Sequence, residues 1–168
     1  MTVEALLAFG GNLGDPVASI RRAVALLREG GAAVPACSSF YRTPPWGPVP
    51  QPDFVNACAR IETELEPTAL LALCQGIERV CGRVPGPRWG PRALDIDILD
   101  YDGRVLATPG LTLPHPRLAE RAFVLVPLAE IASERTVGGR RVRDMLAAVD
   151  TTGVRRLDDP PPVSTTCP

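Results

Sequence analysis

The sequence predicts an α+β fold, on three observations. Short apolar or alternating runs that read as strands are interleaved with two amphipathic helical runs. Their order along the chain is β-α-β-β-α-β, the order of a ferredoxin-like split βαβ core. The chain has 168 residues, 45% hydrophobic and 22% charged, enough for one domain with a sizeable core.

Each element has a local reason. Val3 to Gly10 is an apolar run that reads as a buried strand. Asp15 is a good helix N-cap with Pro16 at the first helical position. From Val17 to Arg28, Ile20, Val24 and Leu27 recur on one face, and Gly30-Gly31 closes the helix. Ala32 to Arg42 reads as a second strand, followed by a proline-rich loop from Pro44 to Pro52. Phe54 to Thr63 alternates, with Phe54, Asn56, Cys58 and Arg60 on one face and Val55, Ala57, Ala59 and Ile61 on the other. Pro67 opens a second helix that runs to about Cys81, with Leu70, Leu71, Leu73 (or Cys74) and Ile77 as its buried stripe. A loop rich in glycine, proline and arginine then leads to a strand from Leu94 to Tyr101. Asp102-Gly103 predicts a hairpin, with Val105 and Leu106 as the return strand and Asp100 and Asp102 as hairpin residues. Leu111 to Pro116 reads as irregular, Arg117 to Ile131 as helical turns broken at Pro127, and Val142 to Val149 as a final helix. We expect one domain over residues 1–157 and a disordered tail over 158–168.

Composition narrows the function. The net charge of −1 gives no global attraction to nucleic acid or membrane. All 18 basic residues are arginine, which excludes lysine Schiff-base chemistry and any phosphate loop that needs its lysine. The run Gly10-Gly11-Asn12-Leu13-Gly14 therefore reads as a strand-to-helix turn. No apolar run is long enough to span a membrane, and no secretory signal pattern opens the chain. Five cysteines without a CxxC pair, and a single histidine, argue for a reduced cytoplasmic protein without structural zinc. Cys58 and Cys74 read as core fillers.

The chemistry concentrates in RWGPRALDIDILDYD, from Arg88 to Asp102. Asp95 and Asp97 alternate with Leu94, Ile96 and Ile98, so one strand face is apolar and the other acidic. A solvated strand face is the bland explanation. Two carboxylates on one face, with Arg83, Arg88 and Arg92 just upstream, also suit Mg²⁺ bound together with substrate phosphates. Trp46 and Trp89 lie in two separate loops, where each could simply cover an apolar patch. With Phe54 and Asn56 they could instead sandwich a flat heterocycle whose edge Asn56 reads. His115, flanked by prolines, suits a phosphate or ribose contact as well as a general base. Glu78 on pattern alone is a solvated helix charge.

Four segments, AFGGNLGDP (8–16), YRTPPWGPVPQPDFVNA (41–57), GRVPGPRWGPRALDIDILDYDG (82–103) and LTLPHPRLAERAFVLVPLAEI (111–131), resemble in order and spacing the 6-hydroxymethyl-7,8-dihydropterin pyrophosphokinases of folate biosynthesis. The resemblance implies a ferredoxin-like core with helices on an antiparallel sheet. It implies transfer of pyrophosphate from ATP to the pterin hydroxymethyl group, releasing AMP. It assigns two Mg²⁺ ions to Asp95 and Asp97, and the chemical step to Arg83 and Arg92. It assigns pterin binding to Thr43, Pro44, Trp46, Phe54, Asn56, Trp89 and Phe123. ATP binding falls to Gln75, Glu78, Arg88, Ile98, Thr112, His115 and Arg121. Small-molecule partners only, and a monomer, are expected. The chain departs from the family's usual pattern in having Gly11 for serine, and Pro85 and Gly110 where many members carry phosphate-facing arginines. A catalytically weak pterin- or nucleotide-binding module and a different two-metal transferase are the competing readings. The identity of the nucleotide product separates them.

Overall fold

A computed structural model describes residues 1–45, 47–86 and 90–162. β1 (Val3–Gly11) is followed by α1 (Pro16–Glu29), whose first turn is capped by the Asp15 carboxylate accepting from the Ala18 N–H at 3.1 Å. The expected second strand is two strands, β2 (Ala33–Cys37) and β3 (Tyr41–Thr43). β4 (Phe54–Thr63), α2 (Pro67–Val80) and β5 (Asp95–Tyr101) complete the split core. β1 takes the centre, with β4 on one side and β5 on the other, and β3 and β2 pair the far edge of β4. Every pairing is antiparallel, and the order β3-β4-β1-β5 is that of a ferredoxin-like sheet.

The alternation along the central strands divides the core in two. Ala5, Leu7 and Phe9 of β1, with Ala57, Ala59 and Ile61 of β4, face Ile20, Val24 and Leu27 of α1 and Leu70 and Ile77 of α2. Leu6, Ala8, Cys58 and Leu99 face the other way, onto α3 (Ala122–Ala132) and α4 (Val142–Ala147). Helices thus cover both faces of the sheet. Cys58 and Cys74 are fully buried, as core fillers should be.

The later chain differs from the sequence expectations. Asp102 and Gly103, with φ of 50° and 67°, do turn the chain. The strand beyond, β6 (Leu106–Thr108), pairs not with β5 but with β7 (Leu111–Leu113), in the stretch expected to be irregular. Asp100 is no hairpin residue: it is 1% exposed and accepts from Arg135 at 2.7 Å, while Arg135 also pairs with Glu4. α3 is one helix running through Pro127, because Val124, Leu125, Pro127 and Leu128 are all buried against the sheet and hold the segment helical despite the missing N–H. A small hairpin, β8 (Thr136–Val137) with β9 (Arg140–Arg141), precedes α4. A last strand, β10 (Arg155–Arg156), pairs with β3. In the segment expected as a tail, Arg21 donates to the Pro160 carbonyl at 2.6 Å and Pro162 is buried.

Candidate active site

On the α3 side of the sheet lies a cleft of about 520 Å³. Its floor is a row across three strands. Gly10 of β1 pairs with Asn56 of β4 on one side and Asp95 of β5 on the other. One step along, Ala8 pairs with Asp97. Glycine at position 10 is required by space: a β-carbon there would sit 2.8 Å from the Asn56 Oδ1. At Gly11 a β-carbon would sit 2.5 Å from the Ala93 carbonyl oxygen, so Gly11 lets the segment entering β5 lie close.

One end of the cleft is shaped for a flat ligand. Thr43 and Pro44 follow from β3, Phe54 and Asn56 from β4, and Phe123 from the first turn of α3. Asn56 is 6% exposed and its Nδ2 donates to Thr43 Oγ1 at 2.8 Å. That bond fixes the amide plane and leaves Oδ1 and one N–H for a ligand edge.

The other end is ionic. Asp95 lies 3.0 Å from Arg83 and 3.8 Å from Arg92, and Asp97 lies 3.7 Å from Arg121. Burial pushes the Asp95 carboxyl up, against the pull of Arg83. Arg83 also bonds Glu78, which is 4% exposed and accepts the Ile96 N–H at 3.2 Å. Glu78 is therefore a buried anchor between α2, β5 and Arg83, not the solvated charge its helical position suggests. Burial raises its pKa as well. His115 enters from the loop after β7, its backbone N–H donating to the Leu99 carbonyl at 2.9 Å. Its Nδ1 accepts from the Arg117 N–H at 3.2 Å, and burial lowers its pKa. With Nδ1 accepting, Nε2 is the ring nitrogen left to donate to a ligand oxygen.

The structure brings together Thr43, Pro44, Phe54, Asn56, Arg83, Arg92, Asp95, Asp97, His115, Arg121 and Phe123 along this cleft. Glu78 supports it from below through Arg83. Gln75 and Thr112 are exposed residues outside its lining, and the Ile98 side chain is in the core below the sheet. Trp46, Arg88 and Trp89 lie outside the described residues.

Asn12 was not singled out by its sequence. It is 5% exposed, its Nδ2 donates to Gln51 Oε1 and to the Pro52 carbonyl, each at 2.9 Å, and its Oδ1 accepts the Arg92 N–H at 2.9 Å. Its own N–H donates to the Arg92 carbonyl at 2.8 Å. One side chain thus ties the loop before β4 to the segment carrying Arg92. The only local signal is an asparagine after two glycines. The partners lie 39 to 80 residues away.

A family model described as 7,8-dihydro-6-hydroxymethylpterin-pyrophosphokinase matches residues 6–133. A 2-amino-4-hydroxy-6-hydroxymethyldihydropteridine pyrophosphokinase of Methylorubrum extorquens is 48% identical over 156 residues, covering 92% of this chain and 99% of the relative. The enzyme of the same name from Synechocystis sp. is 40% identical over 153 residues, covering 89% of this chain and 78% of its own. In fold, the chain is similar to the crystal structure of Plasmodium falciparum HPPK-DHPS with pteroate, at a TM-score of 0.70 and 14% identity. That match covers 88% of this chain, which spans 42% of the Plasmodium chain.

Proposed function

This chain belongs to the 7,8-dihydro-6-hydroxymethylpterin-pyrophosphokinase family, and from that premise we propose how its own residues carry the reaction. The protein is a pyrophosphokinase of folate biosynthesis. It moves a pyrophosphoryl group from ATP to the hydroxymethyl oxygen of 6-hydroxymethyl-7,8-dihydropterin and releases AMP. The observation that carries our reading is the row Asn56–Gly10–Asp95, which sets a heterocycle reader and a carboxylate–arginine cluster in one cleft.

We assign the pterin to the Thr43–Phe54–Asn56–Phe123 end. Its ring packs on Phe54 and Phe123, and its polar edge meets the free Oδ1 and N–H of Asn56. Trp46 and Trp89 belong to the same assignment from the resemblance. The triphosphate lies over β5, where Arg83, Arg92 and Arg121 face it. His115 donates from Nε2 to ATP; Glu78 serves that half through Arg83, and Gln75, Arg88, Ile98 and Thr112 belong to it from the resemblance alone.

Asp95 and Asp97 fit Mg²⁺ by the chemistry of the donor set. They are two hard carboxylates on one strand face, opening on the cleft where phosphates and water would supply the remaining oxygens. Bound there, the metal supplies Lewis-acid neutralisation of phosphate charge. The chain's own part is positioning and charge. Asn56 orients the acceptor so that its hydroxyl faces the β-phosphorus. Arg83 and Arg92 face the bridging oxygen that leaves with AMP and offset its growing charge. Ligand binding draws these arginines from Asp95 to the phosphates. Asp97 is the carboxylate placed to position the hydroxyl.

We assign residues 1–157 to one domain and infer a cytoplasmic monomer. The four described cysteines are free thiols, which suits a reducing compartment. No helix among the described residues is long and apolar enough to cross a membrane. The test of function is an incubation with Mg-ATP and 6-hydroxymethyl-7,8-dihydropterin, following AMP. AMP formed in step with pterin pyrophosphate is expected, and none above background overturns the reading.

A further inference from the structure

The segment after α4 lies beyond the residues that the family model matches, yet it reaches the heterocycle end of the cleft. β3 is only three residues long and carries Thr43 into Pro44. With β4 on one side alone it would be an edge strand with few bonds to hold it. β10 supplies the second side, pairing Arg155 with Arg42 and Arg156 with Tyr41, and the Leu157 N–H donates to the Phe40 carbonyl at 2.9 Å.

The turn before β10 is built to meet Pro44. Asp150 Oδ1 accepts from the Thr152 N–H at 2.9 Å and from its hydroxyl at 2.6 Å, and the Val154 N–H closes onto the Thr151 carbonyl at 3.1 Å. Gly153 then sits at φ 86° against the Pro44 ring. A β-carbon there would lie 3.2 and 3.3 Å from Pro44 Cγ and Cδ. Around this contact a second hollow of about 370 Å³ lies between Thr43, Pro44 and Phe123 on one side and Val149, Asp150, Thr152 and Val154 on the other, so Gly153 is where the turn closes on the Pro44 ring.

We propose that the turn from Asp150 to Val154, with β10, is the outer support of the heterocycle end, and that Gly153 is a positioning residue acting through Pro44. Its place sets how far the Pro44 wall stands from Phe54 and Phe123. Through β3 it also sets the Thr43 hydroxyl that orients Asn56. The proposal rests on our assignment of this end to the pterin.

The test titrates the full chain and its Gly153→Ala variant with 6-hydroxymethylpterin by fluorescence, and with Mg-ATP by calorimetry. Gly153→Ala is expected to weaken pterin binding roughly three- to tenfold, with Mg-ATP affinity held within about twofold. Gly153→Asn tolerates the positive φ but carries the same β-carbon, and is expected to show the same selective loss. In a Pro44→Ala background the Gly153→Ala change should cost pterin binding less than about twofold, because its contact is gone. Unchanged pterin affinity, equal loss of both ligands, or a full loss persisting without the Pro44 ring would each overturn the proposal. Failure of the unaltered chain to bind the pterin would overturn the functional reading beneath it.

Discussion

The Asn56 Oδ1 occupies the space where a β-carbon of Gly10 would stand, at 2.8 Å. The two residues are direct partners across β1 and β4. Gly10→Ala should therefore push the Asn56 amide off its bond to Thr43. We expect pterin affinity to fall about tenfold or more, equivalent to about 1.4 kcal/mol, with Mg-ATP affinity unchanged. Titration of each ligand separately checks this.

Asn12→Ala removes three side-chain hydrogen bonds that tie Gln51, Pro52 and Arg92 together. A stability loss of about 1–3 kcal/mol is expected. Turnover should fall further than the stability loss explains, since Arg92 loses its fixed backbone. Asn12→Asp should rescue little, because it keeps the acceptor for Arg92 and lacks the donors for Gln51 and Pro52. Urea unfolding and single-turnover AMP release separate the two effects.

Asp97→Ala should abolish AMP formation while the protein stays folded. Its carboxylate is 45% exposed and pairs with Arg121 only at 3.7 Å, so the fold draws little on it. A melting temperature within about 2–4 °C of the parent is expected. Near-full turnover in this variant would remove the metal assignment.

Gly110→Arg should tighten ATP binding. A side chain at 110 meets nothing within 4 Å at its β-carbon, so the change is sterically free. One added charge-assisted contact is worth about 1.5–3 kcal/mol where desolvated, and less at this exposed site. We expect a several-fold gain for Mg-ATP and none for pterin. Pro85→Arg should act in the same direction. Calorimetry with Mg-ATP checks both.

Glu130 ties α3 to β3 and the segment just before it. Burial alone would raise its pKa, but the Tyr41 hydroxyl and the Ser39 N–H and hydroxyl donate to it and hold it below its ordinary value. A depressed carboxylate contributes stability above its unfolded pKa and loses it as pH falls through the folded one. Acid unfolding below the usual carboxylate range should thus be steeper for the parent than for Glu130→Gln. At pH 7 the variant should be less stable by about 1–2 kcal/mol. Thermal melts across pH 3–7 read both.

The parts of the site that announce themselves in sequence are those carried on one strand. Asp95 and Asp97 alternate with Leu94, Ile96 and Ile98, and the structure puts the acids on the cleft and the others in the core. β4, α1 and α2 were legible for the same reason, period 2 or 3.6 over enough residues, and β1 as an unbroken apolar run. Asn12 and Glu78 were not, because their roles depend on partners brought in by tertiary packing. β7 and β10 are three and two residues long, too short for any period to show. At Pro127 the local rule predicted a break, and burial of α3 against Leu6, Ala8 and Leu99 overrode it.

The row through Gly10 makes the sheet a ruler. Two interstrand steps, about 10 Å in all, separate Asn56 on β4 from Asp95 on β5, with β1 as the graduation between them. That span is set by backbone hydrogen bonding and not by any loop. On our assignment of the two ends, changes in loops, such as those at Pro85 and Gly110, alter grip on the nucleotide while the reach from acceptor ring to phosphate chain stays fixed. An acceptor with a longer arm between ring and hydroxyl would overshoot, and no single side-chain change on either strand would restore the distance.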